Sequence, residues 1–186
     1  VAALLAHQPI PKGKRVAILT NAGGPGILAA DACEADGLEL PVLSEATRAE
    51  LRRFLPPAAS VTNPVDMLAS APAEHFARAL AIILKDENVD SVLTIFIPPL
   101  VTEPDAVAAA IAGVAPEANG KPILGIFMRA EGAPAALASI PSYAFPESAA
   151  RALARVTHYG AWRAQAVGDV PEFADDAVTV RQLLLH

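Results

Sequence analysis

Val16-Ala17-Ile18-Leu19-Thr20-Asn21-Ala22-Gly23-Gly24-Pro25-Gly26 runs a compact apolar segment straight into a glycine-dense turn. Five consecutive residues without an alternating polar face read as a strand buried on both sides, as in a parallel sheet. Gly24 and Pro25 then provide a flexible cap position and a first helical residue whose missing N–H costs nothing. The spacing predicts a helix from about residue 25 to 36, stopped by Gly37. A strand that ends in glycines and feeds a helix leaves backbone N–H groups uncovered beside the positive end of the helix dipole, which is a place for an anion.

Working outward, the strand and helix signals alternate. Leu38–Leu43 reads as a second strand, and Ser44 caps a helix over Glu45–Leu55 that Pro56-Pro57 ends. Ser60–Asp66 is short, polar-tipped and interrupted by Pro64, so it reads as an edge strand leading into a turn. A helix over Pro72–Lys85 carries Phe76, Leu80, Ile83 and Leu84 on one side, and Val89–Ile97 is a long β-type run closed by Pro98-Pro99. Thr102 is placed to cap the next helix, with Val107, Ile111 and Val114 on its apolar face. A strand at Ile123–Met128, a short helix near Pro134–Ala138, a short strand near Tyr143–Phe145 and a last helix over Glu147–Gln165 complete the series. Five or six strands alternating with helices specify a doubly wound, mainly parallel sheet in a three-layer α/β/α arrangement. Ligands of such sheets lie beyond the carboxyl ends of the strands. The turns at Asn21–Gly26, Asn63–Asp66 and Pro98–Thr102 would therefore share one edge if the first and fourth strands are central.

Composition removes several classes of function. The chain has 186 residues, 53% of them apolar, which is enough for one well-buried domain. A net charge of −6 with no basic stripe beyond Lys12-Gly13-Lys14-Arg15 argues against nucleic acid. No apolar run reaches the roughly 18 residues needed to cross a bilayer, so no membrane role is expected. The lone Cys33 falls within an apolar helical pattern, as expected for a reduced thiol in the cytoplasm. His7, His75, His158 and His186 have no acid or ligand partner at catalytic or metal spacing, so no metal is expected. The Val1 start and the acidic segment Val167–Asp176 read as the ends of a domain cut from a larger protein. Residues 1–14 would be the tail of a preceding helix and a linker, 15–165 the domain, and 166–186 a linker.

The glycine turn matches neither G-x-G-x-x-G nor G-x-x-x-x-G-K-[ST], so neither a dinucleotide site nor a nucleotide-cleaving loop is indicated. On residues alone it is either a phosphate cup or a tight packing turn. Asp66 could orient a partner or simply cap the next segment.

Val16–Gly26, Ala30-Asp31, Gly37-Leu38, Leu51–Asp66 and Asp86–Val92 together resemble the NDP-forming acyl-CoA synthetases, relatives of succinyl-CoA synthetase that include forms fused to a protein acetyltransferase. The resemblance runs from about Pro9 to Gln165 and implies the second flavodoxin-like CoA-ligase domain of such a protein. It implies the conversion of acid, CoA and NTP to acyl-CoA, NDP and phosphate through an acyl phosphate and a phosphohistidine. It implies as partners a sister CoA-ligase domain bearing that histidine, a CoA-binding Rossmann domain and an ATP-grasp domain. CoA, ATP or ADP, and Mg would serve the whole enzyme, with no cofactor held firmly here. By the same resemblance Asn21, Ala22, Gly23, Gly24, Pro25 and Gly26 would face the phosphohistidine, with Asn63 and Asp66 in support.

The family's Ser/Gly-His-Thr-Gly segment is missing, and Thr157-His158-Tyr159-Gly160 is only a superficial likeness inside a helix. No catalytic residue is therefore expected in this chain, and it should not turn over by itself. Two other readings compete: an acyl-CoA- or phosphate-sensing regulatory domain of an acetyltransferase, and a purely structural interface module.

Overall fold

The computed structural model describes residues 1–99, 103–128, 134–137, 139–168 and 177–184. In chain order the elements are α1 (Ala2–His7), β1 (Val16–Thr20), α2 (Gly23–Ala35), α3 (Glu45–Arg52), β2 (Val65–Asp66), α4 (Ala73–Leu84), β3 (Ser91–Phe96), α5 (Pro104–Val114), β4 (Ile123–Phe127), β5 (Ser142–Tyr143), α6 (Pro146–Arg163) and α7 (Ala177–Leu184). Short 3₁₀ turns lie at Ala115–Glu117 and Ala135–Leu137. All strand pairs are parallel and the order is β2-β1-β3-β4-β5. This is the flavodoxin-like doubly wound arrangement, in which strand order reverses between β1 and β3.

Every residue of β1, β3 and β4 is buried, because helices cover both sides of the sheet. The period of two sorts their side chains between the layers. Ala17, Leu19, Val92, Phe96, Ile123 and Phe127 face α4 and α5, where Phe96 lies between Phe76 and Phe127 with ring centroids 5.7 Å apart on each side. Val16, Ile18, Leu93, Ile95, Leu124 and Ile126 face α2 and α6. Fully buried Leu4 of α1 joins that second layer, so the segment read as the tail of a preceding helix and a linker contributes to the core.

Three expectations shift, and a fourth cannot be placed. The Leu38–Leu43 strand is reduced to a single bridge between Glu39 and Arg15. The reason is Asn63: its Oδ1 accepts from Ile18 N–H at 2.9 Å, while its Nδ2 donates to the Val16 and Pro41 carbonyls at 2.8 and 3.3 Å. The carboxamide thus stands between β1 and the 38–43 segment, where a second backbone would have paired. The Ser60–Asp66 strand contracts to Val65–Asp66, since its earlier part is spent on that wedge and on the antiparallel bridge of Ser60 to Asp66. Helix α2 begins at Gly23, two residues before the expected start, because Ala22 is extended (φ −150°) and serves as N-cap. The Thr102 cap lies outside the described residues, and α5 has Glu103 as its N-cap without a side-chain bond.

Other boundaries follow their signals. Gly37, at φ +80°, ends α2 with paired bonds from Gly37 N–H to the Glu34 carbonyl (3.1 Å) and from Leu38 N–H to the Cys33 carbonyl (2.8 Å), the Schellman geometry that favours glycine. Ser44 accepts from Thr47 N–H to cap α3.

At the amino-terminal edge of the sheet, Asp90 accepts from Arg15 N–H, Nε and Nη2 at 2.8 to 3.0 Å, tying the entrances of β1 and β3 together. Burial pushes the Asp90 carboxyl up, but the hydrogen bonds and charge of Arg15 outweigh it and hold it below the usual range. Asp86 behaves alike: burial is outweighed by bonds from Asn88, Thr47 and Ser44. Both folded values lie under the ordinary 3.8. Their contribution is therefore complete above that pH and is lost as pH falls through the lower folded values. Asp90→Ala is expected to lower the unfolding free energy by about 1–2 kcal/mol at pH 7. In urea titrations the gap to the wild type should close progressively as pH drops below 3.8.

Candidate functional site

The carboxyl-terminal edge of the sheet is where the β1-to-α2 turn emerges, at the point of strand reversal. Its geometry begins with two side chains that sequence reading did not single out for these roles. Thr20, fully buried, accepts from Ala22 N–H through Oγ1 and donates back to the Ala22 carbonyl, both at 3.0 Å. Asn21, 2% exposed, donates through Nδ2 to the Ile97 carbonyl and accepts from Ile97 N–H through Oδ1, each at 2.9 Å. The Asn21 carboxamide thereby extends the β1–β3 ladder by one rung beyond the last backbone pair. A strand-terminal Thr-Asn pair carries no specific signal for such a clamp, so only the fold reveals it.

Of the six turn residues expected at the site, the structure divides the work. Ala22 N–H is taken by Thr20, Pro25 has no N–H, and Gly26 N–H makes the first helical bond to the Ala22 carbonyl at 3.3 Å. Gly23 and Gly24 are exposed, and no hydrogen bond reaches either N–H among the described residues. Two backbone donors at the start of a thirteen-residue helix are thus presented to solvent. Gly24 has open space where a side chain would begin, whereas a Cβ on Gly26 would lie 3.1 Å from Thr20 Cγ2 and 3.5 Å from Pro64. Gly26 is a packing position that lets α2 approach the sheet.

Asn63 and Asp66 part company. The Asn63 side chain is consumed at the flank of β1, as described above, and does not reach the turn. Asp66, partly buried at the end of β2, accepts from Leu68 N–H through Oδ1 at 2.9 Å, and Leu68 is held at φ +69°, a conformation uncommon for a side chain of its kind. Its other oxygen, Oδ2, lies 3.1 Å from the position a Cβ on Gly23 would occupy. One carboxylate oxygen therefore borders Gly23.

The surroundings of the turn are apolar and uncovered: Ile27 and Leu28 in the first turns of α2 are 60% and 48% exposed. Cys33 lies on the opposite, core-facing side of the helix, where burial pushes its thiol up to about 12, so it is no nucleophile. His75 packs edge-on to Phe54 at 5.3 Å, and Nε2 of His158 lies 3.8 Å from where a Cβ on Gly37 would begin. His186 lies outside the described residues. No cluster of potential metal ligands occurs among the described residues, nor does any helix there have the length and apolarity to cross a membrane. A cleft of about 320 Å³ lined by Ser44, Thr47, Glu50 and Asp86 sits at the amino-terminal edge, away from the turn. There Asp86 is already bonded to Ser44 and Asn88 N–H groups.

The model of the Ligase-CoA domain matches residues 16–152. The chain is 46% identical over 153 residues to the alpha subunit of an ADP-forming acetate–CoA ligase II of Pyrococcus furiosus, covering 78% of this chain and 34% of that protein. It is 27% identical over 176 residues to an ADP-forming 4-hydroxybutyrate–CoA ligase of Nitrosopumilus maritimus, covering 92% and 25%. Among solved structures, a Pyrococcus horikoshii OT3 protein superposes with a TM-score of 0.79 at 38% identity, covering 89% of this chain and 41% of that one. A dinucleotide forming acetyl-coenzyme A synthetase 1 of Ca. Korarchaeum cryptofilum, in complex with phosphate and ADP, superposes with a TM-score of 0.74 at 29% identity, covering 89% and 38%. The chain thus spans about a third of the length of the first of these relatives.

Asn21→Ala should cost about 1–2 kcal/mol in chemical denaturation, because it strands the Ile97 N–H and carbonyl in a half-buried setting. Gly26→Ala should cost about 1 kcal/mol or more through the Thr20 contact. Gly24→Ala, which meets open space, should remain within about 0.5 kcal/mol of the wild type.

Proposed function

Since the chain belongs to the Ligase-CoA domain family, we propose that it is the second flavodoxin-like domain of an NDP-forming acyl-CoA synthetase. In this reading the start of α2 receives the phosphoryl group of a phosphohistidine carried by a sister domain. The observation that carries it is the pair of Gly23 and Gly24 N–H groups, without a partner among the described residues, at an exposed helix terminus on the strand-reversal edge.

Phosphoryl transfer asks little covalent chemistry of its surroundings and much preorganised charge compensation. Backbone donors fixed by the Thr20 and Asn21 clamps meet that demand without reorganising as charge develops. A helix terminus contributes about 0.3–1 kcal/mol when exposed and up to about 2 kcal/mol when partly buried. The remaining stabilisation must come from donors on the opposing domain. Exposed Ile27 and Leu28 beside the donors are the apolar surface that such a domain would cover, and closure would exclude water from the transfer. This chain then supplies half of a phosphoryl site. The histidine, the CoA site and the nucleotide with its Mg lie on the partner domains, and the assembled enzyme joins an acid to CoA in the cytoplasm, where Cys33 stays reduced.

Gly24→Asp places a carboxylate in the open space beside the donors. In the complete ligase, this substitution is expected to abolish phosphohistidine formation, read by radiolabel from nucleoside triphosphate, while the variant domain keeps its circular dichroism spectrum and urea midpoint. Undiminished labelling of the folded variant would remove the assignment.

A further inference from the structure

The outer surface of the α2 and α6 layer separates charge by helix. Both helices follow strands of an all-parallel sheet and cover the same side of it, so they lie side by side and run in the same direction. On its exposed side α2 carries Asp31 and Glu34, and it has no basic residue. On its exposed side α6 carries Arg151 and Arg155, while its single acid, Glu147, lies in the first turn. The two rows are not spent on each other. Arg151 approaches Asp36 only at 4.0 Å and stays 65% exposed, and Asp31, Glu34 and Arg155 have no ion pair among the described residues. Toward the amino-terminal edge of the sheet the same face ends in Tyr159 and Trp162, stacked with ring centroids 5.9 Å apart and 40% and 65% exposed. Tryptophan, tyrosine and arginine are the side chains that most often anchor protein interfaces.

We propose that this face docks a second copy of the chain, with α2 of each copy laid on α6 of the other. The charge pattern selects that arrangement. Two identical faces can be joined by a two-fold axis that lies in the contact plane, either across the helices or along them. An axis across them sets α2 on α2 and α6 on α6, so acid meets acid and arginine meets arginine. An axis along them brings Asp31 and Glu34 of each copy onto Arg151 and Arg155 of the other, and symmetry makes the contact twice. Both Tyr159–Trp162 pairs then come to the same end of the contact, where association removes their rings from water. The 18 residues of α6 limit the contact to about 27 Å in length, and two helices side by side span about 20 Å. A total buried area of about 1,000 Å² lies at the weak end of specific interfaces, so the pair forms at high protein concentration and loosens with salt. The proposal does not draw on the phosphoryl reading: its ionic contacts begin about two turns along α2 from Gly23 and Gly24.

The test is sedimentation velocity of the 186-residue chain at neutral pH, from about 10 μM to about 1 mM. In about 0.05 M salt the upper concentrations should sediment as a dimer. In about 1 M salt, where the screening length falls to about 3 Å, the dimer affinity should drop by roughly tenfold or more. Trp162 is the only tryptophan of the chain, so its emission should move to shorter wavelength over the same concentration range. The double variant Arg151→Glu with Arg155→Glu should be monomeric, as should the double variant Asp31→Arg with Glu34→Arg. An equimolar mixture of the two should recover the dimer, because each cross-contact again joins opposite charges. Starting from a net charge of −6, both variants remain negative, so overall attraction between them would not produce that recovery. A wild type that stays monomeric at every concentration overturns the proposal. So does a dimer that ignores salt or leaves Trp162 emission unchanged, or a mixture of the two variants that stays monomeric while both keep the wild-type circular dichroism spectrum. If either variant fails to fold, the salt dependence and the Trp162 emission of the wild type decide the matter.

Discussion

The backbone of β1 is the constraint from which the rest of the molecule is organised. Its five residues are buried on both faces, so every N–H and carbonyl along both of its edges requires a partner within the protein. On one side β3 supplies a complete parallel ladder. On the other, three unrelated pieces take turns: Glu39 at the entrance, the Asn63 carboxamide in the middle, and Val65 and Asp66 toward the exit. The same demand continues past the strand, where Thr20 and Asn21 satisfy the turn and the end of β3. By the time α2 begins, the polar groups of the turn are spent among the described residues except for the two donors at its head. The candidate site is the remainder left after the interior has been satisfied.

This explains which parts of the fold were legible in the sequence. The strands β1, β3 and β4 are uninterrupted apolar runs with turn residues after them, and nothing competes with that signal. The edge was harder to read. Leu38–Leu43 has the composition of a strand, but Asn63, distant in sequence, occupies the place its backbone would need, and no local pattern announces a side chain acting as a surrogate strand. Gly37 and Ser44 marked helix boundaries because their roles are local and conformational.

The site was legible in outline and misleading in detail. Glycines after a strand and before a helix pointed to exposed backbone donors, and two of the six residues have them. Asn21 and Asn63, put forward by the family resemblance, are residues whose side chains the interior consumes. Asp66 was ambiguous between capping and function, and its two oxygens divide along that line: one closes a turn onto Leu68, and the other borders Gly23. Burial, which composition cannot assign residue by residue, decides between these outcomes.

That the donors belong to Gly23 and Gly24, with Gly26 allowing α2 to lie close against Thr20 and Pro64, has an evolutionary corollary. Main-chain amides cannot be deleted by exchanging one side chain for another, so selection can adjust this locus only by altering its rim or by shifting the helix relative to the strand. Alanine scanning would leave both amides in place, whereas inserting or deleting a single residue before Pro25 would swing both out of alignment at once.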